Sequence, residues 1–339
     1  MQTAIMAAWP PAPRRQAFTL VEVVVVIFII GLLLSILMPA LQASRESARR
    51  ISCESHLKQL AQATEGVRSA TRRYPYVHRV SPGHVGEYLH PSIHVQLLSM
   101  LDQQTLYEQI DRYGWTTIEA PASATNGFAL NVSVPVFKCP SDSVPSGGNS
   151  YRACYGTTPG LHATWVPGRP RRGPLEEESL AGFFLFSRRS VNFRDGASNT
   201  AMFSERVVGD GDPGVHDPVR DVLRTAEENY WPNDPAVNCA AVSSSEPHLS
   251  YAGWTWLSHD SSQTTYNHCL PPNSVIPDCS QGWNEFRVFA GAMTARSWHE
   301  GGVYVALADG SVRFINERID LRTWRALGTI HGEEVIGEF

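Results

Sequence analysis

Glu22 is the one charged side chain between Phe18 and Met38, in a run whose other polar side chains are Thr19 and Ser35. At ~1.5 Å per residue the run covers ~30 Å, about one hydrocarbon core, so it reads as a single membrane-length helix. A carboxylate held there costs about 2 to 3 kcal/mol unless a positive group meets it. The chemistry this implies is ion pairing with an α-amino group, which exists nearby only if the chain is cut just before Phe18. The six cysteines (Cys53, Cys139, Cys154, Cys239, Cys269, Cys279) form no Cys-x-x-Cys pair, and their number fits up to three disulfides in an exported domain, with fifteen possible connectivities. Local bridges from Cys139 to Cys154 and from Cys269 to Cys279 are expected, with Cys53 and Cys239 left open. A zinc site using His268 beside Cys269 is a weaker reading of the same residues. Nothing resembles a Gly-x-Ser-x-Gly elbow, His-Glu-x-x-His, a phosphate-binding loop or a Rossmann glycine pattern, so no enzyme activity is expected.

The segment Arg14-Arg15-Gln16-Ala17-Phe18-Thr19-Leu20-Val21-Glu22, followed by the apolar run, resembles the leader of type IV prepilins and type II secretion pseudopilins. The resemblance implies cleavage between Ala17 and Phe18 by a prepilin peptidase that also N-methylates Phe18. It also implies that Glu22 neutralises the amine of a neighbouring subunit during assembly. Ala17 departs from the Gly that the family places before the cut, and Pro39 falls where pilin helices bend. Read without the resemblance, the same segment is an ordinary membrane anchor. A cleaved Sec signal fits less well, because the run is long, carries Glu22 and lacks a small-x-small site after it.

Further along, nine residues separate His299 from Asp309-Gly310, a spacing that resembles the H-x9-D-G element of the DUF1559 family of prepilin-type proteins common in planctomycete-like bacteria. Cys53-Glu54-Ser55-His56-Leu57-Lys58-Gln59-Leu60 is similar to that family's Cys-x-Asn-x-Leu-Lys-Gln helix, with Ser55 and His56 in place of the usual asparagines. Cys139-Pro140-Ser141-Asp142, and Asp195-Gly196-Ala197-Ser198-Asn199-Thr200 with Glu205 after it, are similar to further family blocks. Pseudopilin heads often hold a loop with calcium, and a cluster of Asp142, Asp195, Glu205, His299 and Asp309 would supply the ligands, Asp195, Glu205 and Asp309 being the metal candidates. No EF-hand spacing supports that idea. Asp195-Gly196 and Asp309-Gly310 are more simply tight turns, and His299 a hydrogen-bonding residue that pins a hairpin to the helix or sheet. Calcium is therefore an option, and no other cofactor is expected.

The elements that would position these residues read as an α+β, pilin-like architecture: leader 1–17, a long N-terminal helix 18–70 with a membrane half and an amphipathic half, and a loop-rich head 71–339 containing antiparallel sheet. Leu41, Ala48, Ile51, Leu57, Leu60, Ala61 and Val67 form the amphipathic stripe. A second helix is predicted over 93–110. Strands are predicted at 134–139, 150–155, 182–193, 200–207, 250–257 and 285–289, with a long surface insertion between Gly209 and Glu246. A hairpin over 298–315 should turn through Asp309-Gly310 in type I′ geometry. Net charge of −5 without a basic stripe excludes a nucleic-acid binder as the expected class.

Arg14 and Arg15 on one flank and Arg45, Arg49, Arg50 and Lys58 on the other leave the charge rule undecided. The leader motif and the cysteines place the chain in the inner membrane as a single-pass protein with its head in the periplasm or outside the cell. The expected partners are prepilin peptidase, other pilin-like subunits and membrane lipid. The competing reading is a processed but unassembled, membrane-tethered surface or carbohydrate-binding protein, in which Trp231, Trp254, Trp256, Trp283 and Trp298 would stack on sugars.

Overall fold

The computed structural model describes residues 20–76, 92–110, 129, 132–142, 148–157, 183–184, 191, 193–225, 235–258, 261–284, 287–330 and 332. Its first element, α1, is one helix of 52 residues, Leu20–Thr71, which passes through Pro39 without a break. Pro39 cannot donate to the carbonyl one turn back, and Ser35 uses its hydroxyl on the carbonyl of Leu32 at 2.7 Å. The chain divides into two units, 1–48 and 49–339.

In the first unit, from Val23 to Leu34, α1 is apolar on every side. Phe28, Ile36 and Leu37 are all more than 60% exposed, and no residue of the most apolar stretch is buried. Apolar surface of that extent calls for a non-aqueous environment.

In the second unit α1 becomes one-sided. Cys53, Leu57, Leu60, Ala61, Thr64 and Val67 are buried, close to the expected helical spacing. The stripe starts later than predicted, because Leu41 and Ile51 are exposed and Cys53 begins the buried face. At exposed or partly exposed positions of the helix Lys58 pairs with Glu54, and Arg68 with Glu65.

The buried face of α1 packs on a five-stranded sheet in the order β5-β1-β2-β8-β9: β1 Tyr151–Cys154, β2 Ala201–Glu205, β5 Thr265–Tyr266, β8 Gly302–Leu307 and β9 Val312–Asn316. A second sheet runs β4-β3-β6-β7: β3 Val222–Thr225, β4 His248–Leu249, β6 Asp278–Asn284 and β7 Arg287–Ala292. Both are mixed rather than purely antiparallel, since β1 pairs β5 and β3 pairs β6 in parallel.

Alternation along β8 divides the core. Val303, Val305 and Leu307 face a cluster closed by Trp324 and Leu327 of the last helix (Leu321–Leu327), whereas Tyr304 and Ala306 face the α1 side. In β2 a bulge between Ala201 and Phe203 moves the chain from one face to the other, so Ala201 lies in the first cluster and Phe203 in the second.

Several predicted elements differ. The helix over 93–110 is two helices, α2 Ile93–Leu97 and α3 Gln104–Gln109, separated by a 3₁₀ turn and by Asp102 at φ 57°. The strand expected at 134–139 is a 3₁₀ turn, Pro135–Phe137, since Pro135 cannot donate to a ladder and suits a first helical position. Residues 250–257 form turns around Gly253, whose φ is 76°, and Asn149 N–H instead bonds the Gly253 carbonyl at 2.8 Å. Residues 209–246 are not merely surface: they contribute β3, the short helix α4 (Pro235–Ala240) and the buried Cys239. Of the strand predicted at 285–289, residues 287–289 fall in β7, and 285 and 286 lie outside the described residues. Most of 182–193 lies outside the described residues.

The predicted hairpin is present, with a different turn. Gly310 N–H bonds the Leu307 carbonyl at 2.9 Å, which puts Ala308 and Asp309 at the corner, and Gly310 alone carries positive φ (84°). This is a type I turn followed by a glycine bulge, so Asp309 needs no left-handed backbone. Its carboxylate instead accepts from the N–H and hydroxyl of Ser311 at 2.9 and 2.6 Å.

Candidate functional site

Ala17 and Phe18 lie outside the described residues. Glu22 is in the first turn of α1, where the helix dipole favours a negative charge. The residues flanking it, Val21 and Val23 to Val26, are all exposed hydrocarbon, as a membrane-inserted or subunit-packed segment requires.

In the head, four residues from four separate segments meet. Cys53 on α1 is bonded to Cys139, which stands just before the turn formed by Asp142 N–H to the Cys139 carbonyl. His56, one turn after Cys53, contacts the Lys138 carbonyl through Nδ1 at 3.0 Å and so ties the same two segments together; burial lowers its pKa. Glu205 ends β2 on the face already set by Phe203, two residues earlier, and therefore points to the α1 side. Its Oε2 accepts from Tyr304 N–H at 2.9 Å, and its Oε1 lies 3.2 Å from His299 Nε2. His299 Nε2 is in turn 3.7 Å from Cys139 Sγ. Each of the four offers a ligand atom within 4.8 Å of the others.

The carboxylates proposed to share a metal go elsewhere, apart from Glu205. Asp142 Oδ2 accepts from the Ser150 hydroxyl (2.9 Å) and Val208 N–H (3.1 Å), and its Oδ1 from the Trp298 indole (3.3 Å); burial raises its pKa against these donors. Asp195 Oδ2 accepts from Gly332 N–H at 2.9 Å, while Gly196 takes φ 89° and Asn199 Nδ2 bonds the Asp195 carbonyl at 2.9 Å. Asp309 N–H reaches the Ala197 carbonyl at 3.1 Å, so the two Asp-Gly turns abut through backbone, not through carboxylates. The five-residue calcium cluster is therefore not assembled among the described residues. Two of its members join the cysteines instead.

The expected local disulfides are also corrected. Cys139 pairs with Cys53 and Cys279 with Cys239, leaving Cys154 and Cys269 as buried thiols. Cys139 belongs to the core on the α1 face of the first sheet and Cys154 to the core on its other face, so the sheet separates them. Burial pushes the Cys154 thiol up to about 12, and Cys269 donates to the Thr157 carbonyl at 3.1 Å. Zinc at His268 and Cys269 is not supported either. The two ring nitrogens of His268 meet the Trp324 carbonyl (2.6 Å) and the Tyr266 hydroxyl (3.0 Å), and burial lowers its pKa to about 3.

Of the indoles that might stack on sugars, Trp256 is fully buried with its N–H on the Val132 carbonyl, and Trp254 donates to the Gly209 carbonyl. Trp298 is 43% exposed, with the Arg220 guanidinium 5.0 Å from its ring centre. Trp231 and the Trp283 side chain lie outside the described residues.

One buried group had no sequence signal. Asp278, at the start of β6, pairs with Arg206 at 2.8 Å and Arg296 at 3.1 Å, and accepts from Thr294 N–H at 3.0 Å. Burial pushes the Asp278 carboxyl up, but Arg296 and Arg206 more than offset it and the net direction is down. Arg206 follows β2 and Arg296 follows β7, so this triad joins the two sheets.

The α+β arrangement, with a long apolar N-terminal helix leading into a sheet-containing head, defines a pilin-like layout, and residues 12–38 match the prokaryotic N-terminal methylation motif. That combination marks a prepilin-like, membrane-anchored protein. Residues 42–322 match the family described as a protein of unknown function (DUF1559), and the chain belongs to that family. No curated protein and no solved structure matches it.

Proposed function

We propose that the chain is the precursor of a pseudopilin-like subunit. Prepilin peptidase cuts it between Ala17 and Phe18 and methylates the new amine, and the mature helix then bundles with other pilin-like subunits, identical or different, into a pseudopilus or type IV pilus-like filament. The head lies on the periplasmic or extracellular side of the inner membrane.

The observation that carries this reading is Glu22, an acidic group in the first turn of an unburied aliphatic helix inside the methylation motif. In lipid its charge is costly, and an N-terminal amine supplied by an adjacent subunit neutralises it. Association through residues 21–38 would be driven by helix packing together with that ion pair. Two disulfides in the head support an oxidising compartment for that unit.

Mass spectrometry of the mature N-terminus from purified membranes tests the processing. A chain beginning at N-methylated Phe18 is expected, and recovery of intact protein beginning at Met1 would overturn the proposal.

A further inference from the structure

The meeting of Cys53, Cys139, Glu205 and His299 has the donor set and the spacing of a tetrahedral metal site. Thiolate, imidazole and carboxylate are all ligands that Zn²⁺ takes. With Zn–S of ~2.3 Å and Zn–N or Zn–O of ~2.0 to 2.1 Å, the edges of a tetrahedron are ~3.5 Å between sulfur and nitrogen and ~3.3 Å between nitrogen and oxygen. Cys139 Sγ to His299 Nε2 is 3.7 Å, and His299 Nε2 to Glu205 Oε1 is 3.2 Å. Of the other four edges, three join sulfur to nitrogen or oxygen and lie within 4.8 Å, and the sulfur–sulfur edge is the covalent Cys53–Cys139 bond, where a tetrahedral site requires ~3.8 Å.

All four residues are at least 95% buried, and Glu205 Oε1 makes no hydrogen bond among the described residues, standing 3.2 Å from His299 Nε2 on the cluster side. The other oxygen is held by Tyr304 N–H, as outer-shell bonds hold ligating carboxylates.

We propose that the dithiol form of Cys53 and Cys139, together with His299 and Glu205, binds one Zn²⁺, and that this state and the disulfide exclude each other. Reduction by a thiol reductant places two electrons and two protons on the cysteine sulfurs while two reductant thiols become a disulfide. Zn²⁺ then displaces the two thiol protons. Reoxidation by a disulfide oxidant removes two electrons, restores the sulfur–sulfur bond and expels the ion. On the reading above that the head is exported, the new chain starts with thiols and the metal-binding state would precede the bridge.

The test uses the full chain in detergent, oxidised or reduced with a phosphine, titrated with Co²⁺ and then Zn²⁺. The reduced protein is expected to take up one equivalent of Co²⁺ with a sulfur-to-cobalt charge-transfer band that Zn²⁺ bleaches, and the oxidised protein none. Glu205→Gln should weaken Co²⁺ binding about tenfold or more while keeping the band. Replacing Cys239 and Cys279 with serine should leave binding intact, and replacing Cys53 and Cys139 should abolish it. No uptake by the reduced wild type, uptake without the sulfur band, or uptake that survives loss of Cys53 and Cys139 would overturn the proposal. The comparison of oxidised with reduced wild type needs no variant to fold.

Discussion

A charge held away from water needs a partner. Glu22 carries that requirement in the helix, so Glu22→Ala is expected to insert into membranes normally but to be recovered with other pilin-like subunits in severalfold lower yield by affinity pulldown; normal recovery would remove the ion-pair argument. In the head, Asp221 is fully buried at the start of β3, and burial raises its carboxyl from 3.8 to about 6. Asp210 and Asp217 bear on it as well, with His248 at 3.6 Å opposing them. A raised carboxyl contributes stability that is complete below the unfolded value and lost as pH rises through the folded value. Asp221→Asn keeps the acceptor for Asp217 N–H and has no charge to bury, so its melting temperature should gain on the wild type by about 2 to 4 °C between pH 4 and pH 7. A pH-independent difference in thermal melts would refute this. The Asp278 triad is different in kind: removing the carboxylate leaves two buried guanidinium groups facing each other, and Asp278→Asn should cost about 3 to 5 kcal/mol in denaturant unfolding.

At the level of elements, the second half of α1 is held to the head by an apolar face, by the Cys53–Cys139 bond and by polar contacts such as that of His56 with the Lys138 carbonyl. The Cys53–Cys139 bridge closes a separation of 86 residues, and the loop-entropy account assigns it about 4 to 5 kcal/mol. Replacing both cysteines with serine should lower the urea midpoint accordingly, whereas an unchanged midpoint would mean that packing of Leu57, Leu60 and Val67 suffices. The amphipathic half of α1 was legible in the sequence because helical periodicity is local, and so was the hairpin, because Asp309-Gly310 joins two apolar runs. The strand misread at 134–139 shows the opposite case. Val134, Val136 and Phe137 have strand-like residue types, but the fixed φ and missing N–H of Pro135 decided the geometry.

For the whole molecule, the proposed assembly is a packing reaction of helices. Single cysteines placed at exposed positions such as Ile27 or Leu34 should give a ladder of oligomers when membranes are treated with a short crosslinker. Only monomers would favour a processed protein that displays its head without assembling.

The residue order alone established the membrane-length helix, the single carboxylate within it, the processing signal and the amphipathic continuation, because each is a property of neighbours within a few turns. It also singled out Cys53, Cys139, Glu205 and His299 individually. Only the tertiary structure decided that these four meet, that the bridges are Cys53–Cys139 and Cys239–Cys279, and that Asp278 carries two arginines. The reason is physical: which side chains face each other across a sheet depends on strand order and on a bulge in β2, neither of which leaves a mark in local spacing.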